Sequence, residues 1–121
     1  MSPIERKGVI TKVKTLEQRV TKLMDLGFTP ALAGFNAILA MVDVWKPGEK
    51  FCAYYAIAGK RLGMSGPRVE RNIRHAIEKA MCYNHSGMSE FLRNTYDPVK
   101  GHPTNHEFIA VLWMDFNTPE T

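Results

Sequence analysis

The chain has 121 residues, 45% of them hydrophobic and 23% charged, which suits one soluble domain with its own core and no need of disulfide or metal staples. No apolar run approaches a membrane span, and the opening MSPIERKGVI lacks the apolar core of a signal peptide. A cytoplasmic protein is therefore expected, with its two cysteines, Cys52 and Cys82, reduced and either buried or inert.

Residues 5–26 read as one amphipathic helix. Val9, Val13, Leu16, Val20 and Leu23 recur at alternating spacings of four and three, a heptad-like seam of about two repeats that suits packing on its own domain or a homodimer. Gly27 ends this element. Thr29 followed by Pro30 has the form of a cap and a first helical residue, so the next helix is expected from Pro30 to about Trp45. It is apolar on most sides (Leu32, Phe35, Ile38, Leu39, Met41, Val42), which marks it as the buried post of the domain, with Gly34 allowing a close crossing.

After the turn Lys46-Pro47-Gly48, residues 50–82 read as a helix-turn-helix. Ala56, Ile57, Ala58 and Leu62 give the first helix a small apolar side, and Gly59 permits a close approach. Gly63 suits the left-handed residue that ends a helix, and Ser65 caps the next one with Pro67 in its first turn, making a turn of about four residues. On a wheel of about 100° per residue, Val69, Ile73, Ala76, Ile77 and Ala80 form one stripe and Arg71 points away from it. Arg68, His75 and Glu78 lie beside Arg71, while Glu70, Arg74 and Lys79 sit on the flanks.

A polar break follows at residues 83–87, then a short helix from Ser89 to Asn94 and a loop over residues 96–101. Thr104 and Glu107 form a capping box for the last helix, residues 104–116, which carries Phe108, Ile109, Val111 and Leu112. Residues 1–121 thus make a single all-α domain of six helices.

Charge is unevenly placed. Residues 60–79 hold six basic side chains against two acidic, residues 1–30 six against three, and residues 80–121 two against five, for a net charge of +4. This is the footprint of a polyanion binder. In a major groove, outward arginines pair with guanine and a glutamate accepts from cytosine, so Glu70, Arg71, Arg74 and His75 are the candidate base readers. Lys60, Arg61, Ser65, Arg68 and Lys79 are the candidate phosphate contacts. The rival readings are a protein-interaction module, including an anti-regulator that mimics a DNA-binding domain, and a zinc site built from Cys82, His85, His102 and His106. No nucleophile with a positioned base is recognisable, so no enzyme and no cofactor are expected.

The string SGPRVERNIRHAIEKAM resembles the recognition-helix region of the stage zero sporulation protein A family, the sporulation response regulators. HPTNHEFIAVL resembles that family's last helix, and VTKLMDLGFTPALAGFNAILAMV its first helices, so the likeness covers about residues 18–113. It implies an all-helical transcription factor that binds double-stranded DNA boxes with a TGTCGAA-like core, often in tandem, and has RNA polymerase as a further partner. It also implies that Arg68, Glu70, Arg71, Arg74 and His75 are the positions used on DNA. The family's phosphorylated receiver domain has no counterpart here, so either a free-standing relative or an excised domain is expected. The opening MSPIERKG and the lack of a linker-like stretch favour the first, and the tail after Trp113 departs from the family pattern.

Overall fold

The protein, described from a computed structural model over residues 14–93 and 95–118, is all-α. Its first helix, α1 (Leu16–Asp25), starts where Thr15 and Gln18 cap each other reciprocally. One continuous helix over 5–26 is thereby corrected: Thr15 is extended backbone, and the expectation for Val9 and Val13 lies outside the described residues. Leu23 is buried and Val20 packs on the core, so these two residues of the seam serve this chain's own interior, while Leu16 is 68% exposed.

The second helix, α2 (Ala33–Val44), begins three residues later than the Thr29-Pro30 pattern suggests. Residues 29–32 instead form a separate turn, closed by Leu32 N–H donating to the Thr29 carbonyl at 3.1 Å. The detour lets Phe28 enter the core against Phe108, with ring centroids 5.2 Å apart, and burial of that ring outweighs a local capping preference. Phe35, Ala37, Ile38, Ala40, Met41 and Val42 are buried along α2, which packs chiefly against the two helices that follow. Gly34 makes the crossing possible: a Cβ there would sit 2.4 Å from the Asn72 carbonyl oxygen and 2.6 Å from the Ala76 Cβ.

A 3₁₀ turn at Phe51–Ala53 leads into α3 (Tyr54–Leu62), and a three-residue turn joins it to α4 (Gly66–Tyr83). Gly63 is left-handed at φ 72° and ψ 34°, and Ser65 Oγ accepts from Arg68 N–H at 3.3 Å. The turn folds so tightly over α3 that a Cβ at Gly59 would lie 2.3 Å from the Met64 carbonyl. Only Ala58 and Leu62 of the expected apolar side face inward; Ala56 and Ile57 are exposed.

Asn84 closes α4 through its backbone and opens α5 (His85–Leu92) with its side chain, which accepts from Gly87 N–H at 3.3 Å. Helix therefore begins at His85 and not at Ser89, and the expected end at Asn94 lies outside the described residues. The capping box of Thr104 and Glu107 opens α6 (Asn105–Phe116), with Glu107 Oε1 2.7 Å from Thr104 N. Phe108, Ile109, Leu112 and Phe116 complete the core. Both cysteines are free and exposed, which corrects only the buried alternative of the expectation that they are buried or inert; Cys82 falls on the side of α4 opposite Ile73. Among the described residues no helix is long and apolar enough to cross a membrane.

Gly34→Ala places a methyl group against backbone that cannot yield independently. It should cost about 1–3 kcal/mol in urea unfolding, and an unchanged midpoint would contradict the close crossing.

Candidate nucleic-acid interface

The 18 residues of α4 make a rod of about 27 Å, long enough to lie along a major groove about 12 Å wide. Its rotation is set by Val69, Ile73, Ala76, Ile77 and Ala80, all buried. Arg68, Arg71 and His75 consequently lie exposed on the other side and Lys79 exposed on a flank, as the wheel predicts, while Glu78, expected beside Arg71, is partly covered. Among the described residues, Lys60, Arg68, Arg71 and Lys79 make no ion pair.

Glu70 and Arg74 occupy one flank and pair there, Arg74 Nε to Glu70 Oε2 at 3.1 Å. The hydrogen bond to Glu70, together with its charge, raises the Arg74 pKa further and keeps the guanidinium charged. One turn on, Glu78 Oε2 stands 3.6 Å from His102 Nε2, in the loop before α6. The other nitrogen of His102, Nδ1, is 3.0 Å from the Pro103 carbonyl, which only accepts, so Nδ1 carries a hydrogen. On the opposite flank Lys79 borders a cleft of about 360 Å³ shared with Met24, Pro30 and Tyr83.

The remaining candidates are placed as follows. Lys60 is exposed on the outer side of α3. Ser65 uses its oxygen as a cap acceptor, which leaves its hydroxyl hydrogen available to an anion. Arg61 is taken up differently: its Nη1 bonds Asp43 Oδ2, and the second oxygen of Asp43 lies 3.8 Å from Arg19 Nη1. That group therefore knits α1, α2 and α3 together. The four residues of the zinc reading do not converge, and among the described residues no three His, Cys, Asp or Glu side chains form a metal-binding group. His106 instead stacks on Phe51 at 4.6 Å, edge-on to Trp45.

Two residues that pattern reading does not single out lie directly beneath the Glu70 flank. Tyr55 of α3 and Asn105 of α6 meet there, with Asn105 Nδ2 3.0 Å from Tyr55 Oη and 3.1 Å from the Glu70 carbonyl. They floor a groove of about 850 Å³ bordered by Lys50, Phe51, Arg74 and His102. The only sequence signal for them was Asn105 within the PTN string.

A three-residue turn, a capped second helix and an outward basic row define the class: a helix-turn-helix DNA-binding regulatory domain. The chain belongs to the family described as Sporulation initiation factor Spo0A C terminal, whose model matches residues 20–115. No solved structure matches the chain.

Burial of Tyr55 raises its pKa, with the Glu70 charge adding to that and the Asn105 hydrogen bond opposing it. A raised folded value means a stabilising contribution that is complete below the unfolded value near 10 and is lost as pH rises through the folded one. Tyr55→Phe should remove that part of the alkaline loss in melts recorded from pH 9 to 12. An identical alkaline limb in wild type and variant would contradict a desolvated Tyr55 hydroxyl.

Proposed function

We propose that this protein is a sequence-specific, double-stranded DNA-binding regulator of transcription that places α4 in the major groove. The observation that carries the reading is the exposed row Arg68, Arg71, His75 and Lys79 on a helix whose other side is core. Arg71, at the middle of the row, takes the bidentate contact to guanine O6 and N7. Arg74 retains nitrogens beyond the one bound to Glu70 and reaches a second base edge. Glu70 orients it or accepts from cytosine N4. His75 reads beside Arg71.

Arg68 and Lys79 at the ends of this row, with Lys60 of α3 and Ser65 at the start of α4, hold phosphates, which set register without reading sequence. Arg61 was a candidate for the same role, but its bond to Asp43 favours a structural one. The match of Arg68, Glu70, Arg71, Arg74 and His75 to the family's reading positions supports a TGTCGAA-like box. A second copy would then bind through tandem boxes, with Leu23 of α1 turned into its own core. RNA polymerase is a further partner suggested by the family resemblance alone.

Binding to a TGTCGAA-containing duplex and to a scrambled one, measured across a salt series, tests the reading. Arg71→Ala should cost about 1–3 kcal/mol on the box and relax discrimination. Lys60→Ala should weaken both duplexes alike and lower the slope of log K against log salt by about 0.9. Absence of any duplex binding in dilute salt would favour an acidic protein partner and overturn the proposal.

A further inference from the structure

Asn105 is the one buried polar or charged residue among those described, 7% exposed at the first position of α6 in a core otherwise built of apolar side chains. Its amide orientation is fixed by chemistry, because the Glu70 carbonyl can only accept and must face Nδ2. The two hydrogens of that nitrogen have separate acceptors, Tyr55 Oη at 3.0 Å on α3 and the Glu70 carbonyl at 3.1 Å on α4. One side chain thus ties the start of the last helix to both helices of the helix-turn-helix.

The acceptor on α4 is significant. The Glu70 carbonyl belongs to the peptide unit that joins Glu70 to Arg71, so the bond holds the backbone from which Arg71 projects. Its intrahelical bond from the residue one turn on already satisfies that carbonyl, and the helix does not need Asn105 to form. The helices α4 and α6 are in contact and each buries apolar side chains in the one core, and apolar packing is non-directional, so it resists separation more than sliding. A buried directional bond weakens steeply when misaligned, and it therefore selects one register from several that the apolar surfaces tolerate.

We propose that Asn105 is a positioning residue for sequence recognition: through the Glu70 carbonyl it sets the register of α4, and hence the aim of Arg71 and Arg74. This rests on the DNA-reading role proposed above. Asn105 itself, buried beneath the helix, touches no DNA. Losing it should blur discrimination between duplexes while leaving the phosphate-holding face, and the affinity that face provides for any sequence, in place.

The test compares wild type, Asn105→Ala and Tyr55→Phe, each at a temperature where circular dichroism shows it folded. A duplex pool first defines the preferred box, and affinities for box and scrambled duplex follow across a salt series. Asn105→Ala should lower the box-to-scrambled ratio by about tenfold, the loss expected when a base contact is misaligned. Its affinity for scrambled duplex and its salt slope should stay at wild-type values. Tyr55→Phe, which keeps the bond to the Glu70 carbonyl, should melt lower yet hold the ratio within about twofold, as a purely structural loss would. Should Asn105→Ala not fold, Asn105→Ser, too short to reach Glu70 but suited to a helix start, takes its place. An unchanged ratio in a folded Asn105 variant would overturn the inference, as would a parallel fall on both duplexes or an equal loss of ratio in Tyr55→Phe. A wild type that prefers no duplex would instead overturn the DNA-reading role.

Discussion

The rotation of α4 about its own axis is the constraint on which the rest depends. Val69, Ile73 and Ile77 are wholly buried, and each such side chain contributes about 1.5–3 kcal/mol relative to exposure. Turning the helix by a single residue would carry that stripe into water. The outward position of Arg68, Arg71 and His75 is therefore a consequence of core burial and needs no stabilisation of its own. The helix α2 supplies the surface on which the stripe lies, and Gly34 sets how closely the two backbones approach.

Local ion pairs divide the basic residues into two groups. Arg61 and Arg19 share Asp43 and serve the junction of three helices. Lys60, Arg68, Arg71 and Lys79 make no such pair among the described residues and stand exposed to solvent. Arg74 stands between these groups. Its pair with Glu70 is partly exposed, and exposed pairs of this kind contribute little to stability. Such a pair orients the guanidinium without locking it in place. Collecting positive charge on one face also raises the rate of encounter with a polyanion, an effect that salt screens.

Packing around α6 links these features. Its capping box satisfies the first turn, Phe108 and Ile109 anchor it in the core, and Asn105 reaches both helices of the reading unit. The polar contact is small in area, but it is directional where its surroundings are not. The helix that closes the chain's core is thereby tied to the peptide that carries Arg71.

Much of this was legible in the sequence, wherever the cause lies within about four residues along the chain. Gly63, Ser65 and Thr104 with Glu107 mark helix ends through local backbone chemistry, and the spacing of Val69, Ile73 and Ile77 determined which way Arg71 faces. The helix start at Ala33 was decided by tertiary structure, where burial of Phe28 overrode the Thr29-Pro30 signal. The starts at Leu16 and His85 rest on the local caps Thr15 with Gln18 and Asn84 with Gly87, which the apolar spacing alone does not mark. The bonds from Asn105 to Tyr55 and Glu70, and from Arg61 to Asp43, join residues 18 to 50 positions apart. No local pattern encodes such pairs, because they exist only once the helices have crossed at particular distances and angles.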